Sequence, residues 1–187
     1  MKKLTLIGGA PLTGKTTLSK KLAKENHAVE LSTDSIRAWM KSLVSKDDYS
    51  DLFCTFGMTA EEFYEIYDTP QKVVNEEVNE GIQVEKGIIA MLESMITWDH
   101  LIIEGIALSP KFMSQLKAKY DDREIETIVL VDLNRDQIHR RISGRGLWGP
   151  LESYPNEFIP TEVDWVVHYN KLFLDESKKY NIEPRLV

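Results

Sequence analysis

Gly9, Gly14, Lys15 and Thr16 stand in the spacing G-x-x-x-x-G-K-T, and that combination can hold phosphate. Glycines at both ends let backbone N–H groups turn inward around phosphate oxygens, with Ala10, Pro11, Leu12 and Thr13 forming the body of the loop. A helix starting behind the loop adds the positive end of its dipole. The Lys15 ammonium can reach the β- and γ-phosphates of a nucleoside triphosphate such as ATP, and the Thr16 hydroxyl can ligate Mg²⁺. Thr17 completes the cofactor-binding stretch.

Three further groups of residues could act on a phosphate held there. In Ser32-Thr33-Asp34-Ser35-Ile36-Arg37, Asp34 and Arg37 lie three apart, so on a helix they share a face. The carboxylate could accept a proton from an attacking hydroxyl or hold Mg²⁺ through water, and the guanidinium could hold an anionic acceptor. Ser32, Thr33 or Asp34 could equally cap the helix. Glu104 closes the apolar run Leu101-Ile102-Ile103, where a carboxylate is costly unless it has a partner such as Mg²⁺. Arg140, Arg141 and Arg145 sit beside Gly144 and Gly146, a pattern suited to a closing lid. There Arg141 or Arg145 would contact phosphate, and Arg140 would flank adenine or serve structure.

These residues need elements to bring them together. Residues 3–7 read as a buried strand, and Leu18 and Leu22 recur at helical spacing behind the loop. A second strand is expected over 28–32, followed by a helix whose stripe is Ile36, Trp39, Met40, Leu43 and Val44. Residues 45–60 read as loop, 60–67 as a short helix, and 70–97 as a long helix opened by Pro70. Its buried side is expected to carry Val74, Val78, Ile82, Ile89, Leu92 and Ile96. Strands over 101–105 and 126–132 alternate with helices over 110–120 and 135–143. Gly144, Gly146 and Gly149 then punctuate a loop, prolines 150, 155 and 160 mark an irregular stretch, and a helix over 162–179 and a strand over 182–187 follow. Alternating strands and helices imply a parallel sheet covered on both faces, with ligands at the carboxyl ends of its strands.

Composition narrows the classes. The chain has 187 residues, 42% hydrophobic and 28% charged, which suits one globular domain. No apolar run is long enough for a membrane span, so no membrane partner is expected. A cleavable leader is not expected either, since cleavage would remove the phosphate loop. The single Cys54 fits a cytoplasmic location. A net charge of −7 argues against a nucleic-acid partner, and His27, His100, His139 and His168 lack metal-ligand spacing.

In order along the chain come the loop at 9–16, S-T-D-S-I-R, a long helix with Gln83 and Gly87, I-I-E-G, Pro110 and H-R-R-I-S-G-R at 139–145. This order resembles the small P-loop kinases, and more narrowly the 2-phosphoglycerate kinase-like group. The resemblance implies an α/β, three-layer P-loop NTPase fold of the nucleoside-monophosphate-kinase-like type with a five-stranded parallel sheet. It implies a single kinase domain over 1–187, with 45–70 as a substrate cap lined or packed by Tyr49, Phe53, Phe56, Phe63, Tyr64 and Tyr67, and with 133–150 as a lid. The implied activity is transfer of the γ-phosphate of ATP, with Mg²⁺, to a small anionic acceptor near Asp34, Arg37 and Glu104. Two features depart from the group: Ile106-Ala107-Leu108 stands where it often has a histidine, and the lid arginines are spaced one residue short. The D-x-x-R pair is also similar to 5′-hydroxyl polynucleotide kinases, a nucleoside acceptor is a further alternative, and a regulatory ATPase is the alternative of another class. The sequence does not specify the oligomeric state.

Overall fold

The computed structural model describes residues 2–54, 58–94, 97–146 and 156–187. The expected helix residue Ile96, the cap residue Phe56, the loop residue Gly149 and the prolines 150 and 155 lie outside these.

Five strands form one parallel sheet in the order β2-β3-β1-β4-β5. They are β1 (Lys2–Gly9), β2 (Val29–Ser32), β3 (His100–Gly105), β4 (Arg123–Val131) and β5 (Pro184–Leu186). The helices are α1 (Lys15–Asn26), α2 (Thr33–Leu43), α3 (Ala60–Ile66), α4 (Pro70–Glu93), α5 (Pro110–Lys119), α6 (Arg135–Arg145) and α7 (Ile159–Lys179). The chain has the expected five-stranded α/β P-loop NTPase fold. β1 is central, paired on one side with β3 and on the other with β4, so its apolar side chains are buried from Leu4 onward.

Side chains alternate across each strand, and two apolar layers result. Ile7, Ile102, Ile128 and Leu130 face α1, where Leu18, Leu22 and Ala23 cover them. Leu4, Leu6, Leu101, Ile103, Val129 and Val131 face the larger layer, filled by residues such as Val84, Ile88, Phe112, Trp165 and Phe173. Glu104 lies opposite Ile7 in the β1–β3 register. It therefore projects toward the α1 layer, at the end of β1 where the phosphate loop begins.

Several boundaries and faces differ from expectation. α7 starts at Ile159 because Pro160 falls in its first turn, where a missing N–H costs nothing. α6 continues through Gly144 to Arg145, and Gly146 with φ +69° ends it. Gly144 is therefore helical, and Arg145 projects from a helix. β4 begins at Arg123 because Lys2 and Lys3 extend the ladder against it. In α2 only Ile36 of the expected stripe is fully buried, Met40 is partly so, and Trp39 and Leu43 are exposed. α4 ends at Glu93, short of residue 97. It buries Val73, Val74, Glu77, Glu80, Gly81, Val84, Ile88 and Leu92, while Ile82 is exposed. Two glutamates thus occupy the side that apolar spacing alone would fill.

The end of β3 meets the start of α2 at Gly105. Its φ is +151°, and a Cβ there would collide with Thr33 Oγ1 and stand 2.7 Å from Thr33 Cβ. Glycine allows both this backbone conformation and the close approach. Gly81, inside α4, is different: a Cβ would meet Ala107 at ordinary contact distances of 3.6 and 3.8 Å. Gly105→Ala is expected to cost about 2 kcal/mol by overpacking. Gly81→Ala is expected to stabilise by roughly 0.5–1 kcal/mol through helix propensity. Thermal melts of the two variants should therefore shift in opposite directions, and shifts of the same sign would contradict this packing.

Candidate active site

The turn from β1 into α1 sets the first part of the site. Gly14 has φ +86° and sits at the N-terminal cap of α1 with no side-chain cap, so the first N–H groups of the helix face the loop. Leu12 also takes a positive φ, +68°. Thr13 Oγ1 and Lys15 Nζ both donate to the Ala10 carbonyl, at 2.9 and 2.8 Å, and the lysine thus lies across its own loop. Burial lowers the Lys15 pKa to about 8, with Glu104 and Asp34 opposing the fall and Arg145 adding to it.

Thr16 Oγ1 donates to Glu104 Oε1 at 3.0 Å, as the β1–β3 register requires. Burial raises the Glu104 pKa, and Lys15 and the Thr16 hydroxyl work against that rise. These two hard oxygens suit Mg²⁺, which is commonly held by one or two carboxylates together with substrate phosphates. Among the described residues no group of three or more His, Cys, Asp or Glu could hold a metal by itself.

Ser32, rather than Asp34, caps α2: its side chain accepts from the Asp34 N–H at 3.2 Å. The Asp34 carboxylate is thereby left out of capping and instead receives Arg37 Nη2 at 3.1 Å. Arg37 Nη1 donates to Glu80 Oε2 at 2.7 Å, and Lys41 Nζ to Glu80 Oε1 at 2.9 Å. Burial alone would lower the Arg37 pKa, but Glu80 and Asp34 outweigh it and hold the guanidinium above its ordinary value. Glu77, one turn before Glu80, is buried. Its pKa rises to about 7 through desolvation first and repulsion from Glu80 second, with Arg37 opposing.

From α6, Arg141 Nη1 donates to the Leu12 carbonyl and to Asp132 Oδ2, both at 2.8 Å. Asp132 is fixed in turn: its N–H donates to Asn170 Oδ1, and its Oδ1 accepts from the Asn134 N–H, each at 2.8 Å. Arg141 therefore ties α6 to the phosphate loop. Arg145 has no ion pair among the described residues and lines the cleft beside Arg140 and Gly144. Its charge acts on Lys15 across the cleft.

Together these groups line one cleft of about 690 Å³, including Leu12, Lys15, Thr16, Asp34, Arg37, Glu77, Glu104, Arg141 and Arg145, with Trp165 from α7. The fold thus gathers every charged residue singled out from the sequence. Among the described residues, none of the aromatics expected to cap the site is in its lining. Phe53, Phe63 and Tyr64 are buried, Phe63 packs on Tyr64 and Tyr67 with ring centroids 5.2 and 4.7 Å apart, and Tyr49 is exposed. These rings build core under the 45–70 segment, where apolar rings gain most from burial.

Sequence reasoning missed Glu77, Glu80, Lys41, Asp132 and Trp165. Glu77 and Glu80 did leave a sign: two carboxylates interrupt the apolar side of α4 between Val73 and Val84, a position costly without partners. Trp165 was concealed by its ordinary place in an apolar helix stripe.

The sequence matches the protein-family model AAA_18, described as an AAA domain, over residues 6–149. None of the curated proteins matches it. Among solved structures, TT1252 from Thermus thermophilus is similar at TM-score 0.50 and 14% identity, over 100% of this chain and 88% of that one. A shikimate kinase from Bacteroides thetaiotaomicron aligns at TM-score 0.48 and 15% identity, covering 98% and 84% of the two chains. A gluconokinase from Sinorhizobium meliloti aligns at 0.44 and 8%, covering 95% and 92%. No helix among the described residues is long and apolar enough to cross a membrane.

The shifted Glu77 makes stability depend on pH. A raised carboxyl pKa means the folded protein holds a proton that the unfolded chain has released, so stability falls as pH rises from 4.5 to about 7. Glu80, Arg37, Asp34 and Lys41 are the charged groups acting on it. Glu77→Gln removes this titration, so its melting temperature should gain several degrees on the wild type between pH 5 and pH 8. A difference that stays constant with pH would show that Glu77 titrates normally.

Proposed function

The chain belongs to this AAA-domain family, and from that premise we propose that it is a P-loop phosphotransferase. In this reading it moves the γ-phosphate of ATP to a hydroxyl of a small molecule. The observation that carries it is the single cleft in which the phosphate loop, Asp34 and the Arg145 cation face one space. A carboxylate released from capping and set beside that loop can take the proton of an attacking hydroxyl.

In the proposed reaction the acceptor hydroxyl gives its proton to Asp34 as its oxygen attacks the γ-phosphorus. A new O–P bond forms there, the bond from the γ-phosphorus to the β,γ-bridging oxygen breaks, and ADP leaves with that electron pair. Backbone N–H groups of 9–17 cradle the phosphates, Lys15 follows the migrating group, and Arg145 stabilises charge on its equatorial oxygens. Arg141 holds the loop in position through Leu12. Thr16 and Glu104, with Asp34 through water, would hold Mg²⁺. Bound there, the metal would neutralise phosphate charge. Residues 1–187 act as one kinase domain in this reading, with 45–70 as the substrate cap and 133–150 as the lid.

The 2-phosphoglycerate kinase-like resemblance implies an anionic acceptor held by Arg37. That expectation needed an open guanidinium, and both terminal nitrogens of Arg37 are engaged by Glu80 and Asp34. An anionic acceptor would therefore share a guanidinium already paired with two carboxylates.

Lys15→Met should lower turnover by at least about 100-fold, as removal of other positioned electrostatic groups does, with little change in melting temperature. Asp34→Asn leaves the Ser32 cap intact, so it should depress turnover by about 10²–10⁴-fold and leave stability nearly unchanged. Steady-state kinetics with matched thermal melts checks both. A folded Lys15→Met protein with wild-type turnover would remove this site from the reaction.

A further inference from the structure

Thr33 Oγ1 and Glu77 Oε2 are buried and have no hydrogen-bond partner among the described residues. Both residues are more than nine-tenths buried, at 2% and 4% exposure. They line the same small space of about 10 Å³ between α2, α4 and the Ile106–Ala107 segment. Asp34, Arg37, Glu77 and Ile106 line this space and the main cleft alike, so the chamber opens off the end of the cleft that holds Asp34. Its volume suits one group the size of a water molecule, and the two orphaned oxygens, a hydroxyl and a carboxylate, ask for a polar partner.

Charge decides which donor fits. Around the chamber stand three carboxylates, Asp34, Glu77 and Glu80, against two cations, Arg37 and Lys41. The Arg37 fork is spent on Glu80 and Asp34, and Lys41 also serves Glu80. A phosphate or carboxylate on the acceptor would add negative charge to an acidic end whose guanidinium is occupied. A primary ammonium brings three donors and one positive charge in a water-sized group, and a buried carboxylate is far less costly beside a cation.

Resting on the phosphotransferase reading, we propose that the acceptor is a hydroxylated primary amine. Its ammonium seats on Thr33 Oγ1 and Glu77 Oε2, and its hydroxyl faces Asp34. Glu77 is then a specificity-determining residue that selects amines over acids, and Thr33 completes the seat.

Calorimetric titration tests this with a non-hydrolysable ATP analogue and Mg²⁺ bound. The probes are 2-aminoethanol and glucosamine, set against glucose, glycerate and glucose 6-phosphate. Amines should bind at least tenfold more tightly than the neutral and anionic probes. Glu77→Gln and the near-isosteric Thr33→Val should each weaken amine binding severalfold or more, while nucleotide affinity stays close to wild type and neither variant melts below it by more than a few degrees at pH 7. The proposal is overturned if acids bind best, if no probe binds, if amines bind no better than glucose, or if both variants keep the preference. In the last case the chamber holds only a bound water. Amine binding with this pattern but no phosphate transferred to amines would leave the amine seat at Thr33 and Glu77 standing and overturn the phosphotransferase reading instead.

Discussion

The pairing of β1 with β3 is the constraint on which the site depends. Ile7 lies opposite Glu104 and Gly8 opposite Gly105, and a slip of one residue would turn Glu104 to the other face of the sheet. In the register observed, the carboxylate ends beneath Thr16 on α1, and Gly105 is free to let Thr33 approach. The same contact therefore positions the Thr16–Glu104 pair and draws α2, with Asp34 and Arg37, toward the phosphate loop. Burying Glu104 costs free energy, offset by Lys15 and the Thr16 hydroxyl, so the two sides of the cleft are coupled electrostatically.

Farther from the phosphate loop, Glu80 plays the organising part. It is almost wholly buried and joins both Arg37 and Lys41 of α2 to α4. Removing one partner of such a group is expensive, because the remaining charge stays buried. Satisfying Glu80 uses up Arg37 and leaves Glu77, one turn away, with an unpaired oxygen. The acidic character of this end follows from that allocation. The lid side has an opposite logic: Asp132 anchors Arg141, and Arg145 keeps its charge available beside Lys15.

The phosphate loop, strand sequence and strand-end carboxylate were legible because each rests on local spacing: G-x-x-x-x-G-K-T, a short β-branched run, and an acid after Leu-Ile-Ile. What spacing could not show was which partners the charges would choose. Arg37 reads as an open anion site until α4 brings Glu80 against it, and Asp34 reads as a possible cap until Ser32 takes that role. Of the aromatics of 45–70, which could line the site or pack beneath it, Phe53, Phe63 and Tyr64 are core. Gly144 reads as a loop residue, yet α6 runs through it to reach Arg145. The Arg37 difference arises from a tertiary contact between segments far apart in the chain, whereas the Ser32 cap is local.

The fate of labelled phosphate tests the central claim most directly. The protein is incubated with γ-labelled ATP, Mg²⁺ and a panel of hydroxylated amines, sugars and acids, and the products are separated. The account predicts label in an acid-stable phosphate ester of an organic acceptor, formed by the wild type and lost in Asp34→Asn. Label found only as free phosphate across the panel, at a rate no acceptor changes, would contradict it.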